Sequence, residues 1–268
     1  MTDFILNNEA KLRMGVFLFI LLSMMFLEAV LPRKARTQAR PVRWSSNLLL
    51  VVIDSLTVRI LFPIVAVGVA TMAAAKGWGV FNIIHVPNWL SVITTIIILD
   101  MMIYWQHVVS HKWSWLWRFH KVHHTDRDID VTTALRFHPI EIVLSMGFKM
   151  VLIALIGAPV IAVIIFEIIL NGSAMFNHAN LRLPPRVDMG LRRFIVTPDM
   201  HRIHHSTIEP ETNSNYGFST SLWDRIFGSY TVNPSLGHDK MTIGLEEHQT
   251  TAPANLFWAL TLPFKRKL

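Results

Sequence analysis

The chain has 268 residues and no cysteine, which excludes disulfides, iron–sulfur clusters and zinc sites built on thiolates. Any metal that it binds must be held by nitrogen or oxygen ligands. Charged residues are also scarce, at 16% of the chain against 52% for hydrophobic residues. Soluble domains carry about 25% charged residues. The composition is therefore typical of a protein embedded in a lipid bilayer.

The positive charge is concentrated beside apolar segments. The formal net charge is +7, and its position favours a membrane surface over nucleic acid as the partner. The segment from Pro32 to Ser46 holds five basic residues and no acidic one, so the positive-inside rule places it in the cytoplasm. This basic segment and the compact length favour a bacterial inner membrane, with the endoplasmic reticulum as the alternative.

Apolar runs define the predicted architecture. Three of them approach or exceed the roughly 20 residues needed to cross a bilayer, and they are residues 13–31, 48–75 and 89–109. A fourth run, Ile140 to Ala174, is broken at Gly157-Ala158-Pro159, and its halves are short for full crossings, which indicates a shallow hairpin. We predict an all-α integral membrane bundle of about three spans plus this hairpin, with a cytoplasmic helical cap that carries a histidine-rich site for two metals.

Histidine is the residue that such a site would use. Five of the thirteen histidines lie between Asp100 and His124, and the HxxHH spacing of His120 to His124 recurs at His201 to His205. Residues three and four apart share a helix face, so each cluster offers converging imidazoles. Such clusters repel when protonated and gain little when neutral and unpaired. Eight histidines exceed the four ligands of a structural zinc site and suit two metal ions with open positions.

Several short motifs accompany these clusters. They are LWRFHKVHH at 116–124, RFHPIE at 136–141, FNHAN at 176–180, NYG at 215–217 and LWDRIFG at 222–228. With HxxxH, HxxHH and HxxHH in this order, the region from about residue 100 to 230 resembles the membrane fatty acid hydroxylase and sterol desaturase superfamily. The resemblance implies a histidine-bound di-iron centre that uses O2 to hydroxylate or desaturate a C–H bond of a membrane lipid.

The resemblance also implies which residues bind the metals. It makes ligands of eight histidines that carry the catalysis, namely His107, His111, His120, His123, His124, His201, His204 and His205. It adds His178 as a ninth ligand. It indicates His138 as a tenth, with a structural role as the alternative. His85, His238 and His248 match no motif and are predicted to be ordinary surface histidines.

Acidic side chains are expected to support this centre. Histidine ligands commonly donate a hydrogen bond to a carboxylate from the ring nitrogen that does not bind the metal, and five acidic residues are candidates for this role: Asp126, Asp130, Glu141, Asp199 and Asp224. Asp100 lies within an apolar run, where a charged residue needs an interior partner. We predict that its partner is Arg59.

The resemblance and the motifs also define domains and partners. We predict N-terminal transmembrane helices and a basic loop at residues 1–99, the catalytic region at 100–230 and an amphipathic tail at 231–268. No nucleotide-binding glycine loop, haem motif or flavin motif is present, so a separate cytochrome b5-, ferredoxin- or reductase-type protein must supply electrons.

Two other functions use the same histidines. They are zinc transport and zinc-dependent hydrolysis in the membrane. Transport sites usually lie near the bilayer midplane, whereas these histidines lie in or beside polar segments. Zinc is also expected to replace iron on overexpression, because affinity favours zinc and metal availability decides occupancy.

Overall fold

The computed structural model describes residues 8–265. The first seven and last three residues, which belong to the predicted N-terminal and C-terminal regions, lie outside this range. Within residues 8–265, regular structure is helical apart from three isolated β-bridges. This confirms the predicted all-α fold of an integral membrane protein.

The helices follow one another in a simple order. They are α1 Glu9–Val30, α2 Arg40–Leu61, α3 Ala66–Lys76, α4 Val80–Ile83, α5 Asn88–Lys112, α6 Ser114–His124, α7 Pro139–Ile156, α8 Val160–His178, α9 Pro185–Leu191, α10 Pro198–His204, α11 Glu209–Thr212, α12 Leu222–Ile226, α13 Gly237–Lys240 and α14 Leu256–Thr261. Short 3-10 helices occupy Val131–Leu135, Glu246–His248, Ala252–Ala254 and Leu262–Phe264.

Five segments are long and apolar enough to cross a membrane, and they are Glu9–Val30, Arg40–Ile83, Asn88–Lys112, Pro139–Ile156 and Val160–His178. The last two form the predicted hairpin. They contain 18 and 19 residues, or about 27 and 28 Å of helix. The hairpin is thus closer to two full crossings than the sequence indicated, because α8 continues past Ala174 to His178.

Two interruptions have clear local causes. The predicted span at 48–75 is divided, because α2 ends before Pro63 and α3 begins only at Ala66. Proline lacks the N–H that a helix interior requires and restricts the residue before it. The hairpin turns at Gly157, whose φ of 69° is left-handed. Its backbone also packs against that of Gly79, where a Cβ atom would lie 2.1 Å from the Gly157 nitrogen.

Helix α8 lies at the centre of the bundle, in contact with α1, α3 and α5. A buried apolar cluster joins these elements through residues such as Leu99, Ile153 and Phe166. Large apolar side chains also cover the outside, where Phe19 is 72% exposed and Ile60 is 80% exposed. An apolar outer surface on long helices is what contact with lipid requires.

The polar ends of these helices meet at one end of the bundle. Near the end of α1, Glu28 accepts hydrogen bonds from the backbone N–H groups of Val131 and Asn180. Near the start of α2, Arg43 is buried and pairs with Asp126 and Asp130. The sequence placed Arg43 in a basic loop. The structure corrects this, because α2 begins at Arg40 and carries Arg43 into the protein.

The C-terminal segment packs onto the same end. Ala259 of α14 and the following Leu262 are buried against Leu50 of α2 and Val122 of α6. On the outside of this segment, Phe257 is 74% exposed. The segment is therefore amphipathic, and its inner face supports the helix that carries His120, His123 and His124.

Candidate metal centre

Nine histidines from four helices meet at the polar end of the bundle. They divide into a five-histidine group, His107, His111, His120, His124 and His204, and a four-histidine group, His123, His178, His201 and His205. Within each group, one ring nitrogen from every residue lies within 4.8 Å of the others. Eight of the nine side chains are buried, and His111 is half-buried.

Each HxxHH motif divides its members between the two groups. On α6, His120 and His124 join the five-histidine group, whereas His123 joins the four-histidine group. At the end of α10 the division is reversed, because His201 and His205 join the four-histidine group and His204 joins the other. On a helix, the residue four positions on lies slightly to one side of the first residue, whereas the residue three positions on lies to the other side. The same motif thus serves both groups.

Hydrogen bonds at Nδ1 set the orientation of several rings. His107 donates to the carbonyl oxygen of Tyr216 at 2.7 Å, His204 to that of Ser214 at 2.7 Å and His178 to that of Ala174 at 2.7 Å. His123 donates to the carbonyl of Arg136 at 3.2 Å, and His120 donates to the Glu141 carboxylate at 2.6 Å. These acceptors carry no proton of their own, so each Nδ1 is protonated, and in the neutral form of the ring Nε2 then keeps a free lone pair.

These lone pairs lie too close together to be stable alone. The Nε2 atoms of His107 and His120 are 3.1 Å apart, and those of His123 and His178 are 3.0 Å apart. Two acceptors at this distance repel unless a cation lies between them. Nitrogen ligands at about 2.1 Å from one ion, at right angles to each other, are about 3.0 Å apart. Both groups therefore fit a bound metal ion.

Unpaired ring nitrogens support the same interpretation. Among the described residues, both nitrogens of His205 and the Nε2 of His204 are buried without a hydrogen-bond partner. Burial lowers the pKa of His204 to about 3 and lowers the pKa of His205 well below its usual value, with neighbouring histidines adding to both shifts. These two imidazoles are thus neutral, which is the form that binds metal.

His138 has different surroundings. Its Nδ1 accepts a hydrogen bond from the backbone N–H of Ile140 at 3.2 Å, which caps α7, and its Nε2 donates to the carbonyl of Leu260 at 3.2 Å. The ring also contacts Phe119 and Phe264. The structure brings His138 into neither histidine group, and both of its nitrogens connect α7 to the C-terminal segment.

Among the five acidic candidates and within the described residues, Glu141 is the one whose carboxylate accepts a hydrogen bond from a histidine ring of either group. Asp224 supports a histidine indirectly, through the backbone. It accepts hydrogen bonds from the N–H groups of Tyr216 at 2.7 Å and Gly217 at 2.9 Å, and so fixes the carbonyl that holds His107. Asp199 pairs with Arg202 and Arg33 instead.

Asp126 and Asp130 belong to a buried network behind α6. Asp126 accepts from Arg43 at 2.8 Å. Burial raises the pKa of Asp126, but Arg43 and Arg136 outweigh this effect and hold the pKa below its usual value. The guanidinium of Arg136 donates to the carbonyl of Val122 at 2.9 Å, while its own carbonyl accepts from His123. The network therefore anchors the end of α6.

Three further sequence expectations have definite outcomes. Asp100 does not pair with Arg59, because its carboxylate accepts a hydrogen bond from the indole of Trp223 at 2.7 Å. His85 is exposed, as expected of a surface residue. His238 and His248 are half-buried, since His238 lies 3.9 Å from Asp199 and His248 packs on Trp258.

A cavity of about 280 Å³ adjoins the five-histidine group and extends between α5, α7 and α8. His107, His120 and Glu141 line one end. Apolar side chains, including Ile103, Met146, Leu170 and Phe218, line its walls. The cavity is therefore lined by both apolar and polar side chains, lies inside the membrane bundle and directly contacts the candidate metal ligands.

Comparison with known proteins adds independent findings. Residues 92–229 match the model of the family described as fatty acid hydroxylase. The chain is 29% identical to an ornithine lipid hydroxylase from Rhizobium tropici over 55% of its length and 44% of the relative's. It is 30% identical to an alkylglycerol monooxygenase from Xenopus tropicalis, over 67% of this chain and 38% of that one.

A human cholesterol 25-hydroxylase is 26% identical over 50% of the chain and 48% of the relative. The chain thus spans less than half of the length of each of these three proteins. No solved structure gives a significant match.

Proposed function

The chain belongs to the fatty acid hydroxylase family, and from this premise we propose that it oxidises a C–H bond of a membrane lipid with O2 at a histidine-bound di-iron centre. The main observation behind the proposal is the short distance between Nε2 atoms in two adjacent groups. It is 3.0 Å for His123 and His178 in one group and 3.1 Å for His107 and His120 in the other. The similar proteins from Rhizobium and Xenopus, named as a lipid hydroxylase and an alkylglycerol monooxygenase, support the reaction class.

The nine grouped histidines would hold the two ions, five around one and four around the other. Iron held there would supply O2 activation, with the electrons delivered by the separate donor protein. The protein contributes the rest. Hydrogen bonds at Nδ1 orient the rings, and the burial of the ligands limits access by water. The apolar walls of the adjoining cavity would bring a lipid chain next to His107 and His120 without its leaving the bilayer.

We place the catalytic region at residues 100–230, with N-terminal membrane helices before it and the amphipathic segment after it. The histidines and the basic segment that begins at Arg33 lie at the same end of the bundle, since Arg33 contacts Asp199, next to α10's histidines. The positive-inside rule then supports a site on the cytoplasmic face, in a bacterial inner membrane. A separate electron-donor protein of the cytochrome b5, ferredoxin or reductase type would reach the site from that side.

Lipid profiling tests the reaction directly. Cells with and without the gene are compared for lipids that gain one oxygen or lose two hydrogens, with and without O2. The proposal expects such a product only with both the protein and O2. Lipid cleavage products that form without O2 would indicate the hydrolase alternative, whereas metal uptake by proteoliposomes without any lipid product would indicate the transporter.

Metal analysis tests the centre. We expect two metal ions per chain in protein from iron-replete cells, and His123→Ala and His204→Ala are each expected to abolish activity while the protein still inserts. Because these histidines belong to different groups, each variant should retain close to one ion. His85→Ala, at an exposed histidine outside both groups, is the matched control. Full metal content in both variants would refute the assignment.

A further inference from the structure

A group of charged side chains lies at the far end of the same cavity, inside the membrane bundle. Lys149 of α7 donates to Glu167 of α8 at 2.6 Å, and Arg13 of α1 contacts the other Glu167 oxygen at 2.6 Å. All three side chains line the cavity. Lys149 and Glu167 are buried. We call these three residues the charged cluster.

The cavity wall runs continuously from the histidines to the charged cluster. Along α7 the lining includes Glu141, Ser145 and Lys149, which are spaced four residues apart and share one face. Glu141 contacts His120, and Lys149 lies eight residues further on, or about 12 Å along the helix. The cavity thus joins the metal ligands to a second polar site at a fixed separation.

Stability does not explain the charged cluster. Apolar residues of similar volume replace buried ion pairs at little or no cost to stability in many proteins. Ionisable residues within membrane helices are costly, and by default they indicate a binding site or a pathway. The volume of about 280 Å³ lies just below the range of roughly 300–1,000 Å³ for small-molecule pockets. It suits a segment of a lipid molecule.

The charges in the cluster are already balanced. Both Glu167 oxygens contact cations, and Arg13 also pairs with Glu9 at 3.1 Å. A charged substrate group would leave an unpaired charge inside the bundle. An ammonium group has three N–H donors, and in the described part of the chain Glu167 is the one hydrogen-bond partner of Lys149. Donors therefore remain for an uncharged oxygen.

We propose that Lys149 binds an uncharged oxygen of the lipid substrate, such as a hydroxyl, ester or amide oxygen, about 12 Å along α7 from Glu141, which contacts His120. This inference rests on the proposed lipid oxidation. It predicts which substrates the site accepts and where it oxidises them. The lipid is held at its oxygen, and the length of the cavity then determines how far along the chain the reacting C–H bond lies.

Binding is tested without turnover. The protein in lipid nanodiscs receives dodecan-1-ol, dodecane or dodecanoate at equal mole fraction, and its Tm is measured. We expect dodecan-1-ol to raise Tm more than the other two. Lys149→Met should abolish this difference and weaken dodecan-1-ol binding about tenfold to a hundredfold, the worth of a hydrogen bond to a charged donor. This variant keeps the Arg13–Glu167 pair, and adding Glu167→Gln restores the balance of charge between Arg13 and Glu9.

Lys76→Met is the matched control, because Lys76 is exposed and does not line the cavity. Equal binding of the alcohol by the wild type and Lys149→Met would overturn the inference, and so would tighter binding of dodecanoate. A second variant, Lys149→Met with Glu167→Gln, gives the same test if the single variant does not fold.

The position of oxidation separates the two proposals. With metal-loaded protein, O2, a ferredoxin and its reductase as the electron supply, and dodecan-1-ol, we expect oxidation near the methyl end, and Lys149→Met should spread it along the chain. Lipid binding without any oxidised product would contradict the proposed function but not the binding site. Oxidation with the same position in both proteins would contradict the role of Lys149 but not the proposed function.

Discussion

The Nδ1 of His120 lies 2.6 Å from the Oε1 of Glu141, at the point where α6 meets the start of α7. Both side chains are buried. The carboxylate thus fixes which ring nitrogen carries the proton and leaves the other nitrogen, Nε2, facing His107 and His124 at 3.1 and 3.3 Å. An acidic partner of this kind also makes a histidine ligand more basic.

Glu141→Gln is expected to lower metal affinity or activity about 10- to 100-fold, the usual effect of losing a hydrogen-bond partner of a metal ligand. Glutamine has nearly the same shape but no charge. Metal content after dialysis against increasing chelator concentrations measures the change. Glu209→Gln, at an exposed glutamate, is the control. Equal metal retention and activity in both variants would show that the Glu141 charge does not support His120.

His138→Ala is expected to keep both metal ions but to lower the free energy of unfolding by about 1 kcal/mol, as the loss of a helix cap typically does. His178→Ala should instead release metal, because its Nε2 lies 3.0 Å from that of His123. Metal analysis and thermal unfolding of the two variants distinguish these outcomes. Loss of a metal ion from the His138→Ala variant would show that His138 is a metal ligand.

Asp224→Asn is expected to weaken the five-histidine group. An amide offers only one acceptor oxygen, whereas Asp224 uses both oxygens for the N–H groups of Tyr216 and Gly217. The Tyr216 carbonyl that orients His107 is then less well fixed. We expect about 10-fold lower activity or metal affinity, checked by metal titration. Asp188→Asn, which breaks a pair with Arg192 on α9, is the control and should retain wild-type metal binding.

Arg43→Met is expected to destabilise the protein by about 3–5 kcal/mol, because it leaves the buried carboxylates of Asp126 and Asp130 without their shared cation. Chemical unfolding in detergent measures the loss. Arg118→Met, at an exposed arginine, should change stability little. If the two variants unfold alike, then the buried pair does not stabilise the contact between α2 and the end of α6.

The sequence predicted the features that depend on local spacing. Long apolar runs identified the membrane helices, and Gly157 and Pro159 marked the turn of the hairpin because neither residue suits a helix interior there. The HxxHH motifs placed imidazoles on one side of a helix. Their division between two groups did not follow, because it depends on how α6 and α10 face each other.

Partners distant in the sequence could not be predicted from spacing. Asp100 contacts Trp223, which lies 123 residues later, and most of the acceptors at Nδ1 are backbone carbonyls that leave no trace in the sequence. Lys149 and Glu167 did leave a signal. They are opposite charges in an apolar hairpin, each eight residues from its turn, so both lie at the same depth and can pair.

The division of each HxxHH motif between the groups has a consequence for biosynthesis. Because α6 and α10 each contribute to both groups, a growing polypeptide that ends before His204 holds neither complement in full. The last members of the two groups, His204 and His205, are neighbours in the chain, so a partly synthesised chain cannot retain a finished position for one ion while it waits for the second. Both metal positions therefore mature together, at the moment when α10 docks onto α6, which lies about eighty residues earlier in the sequence.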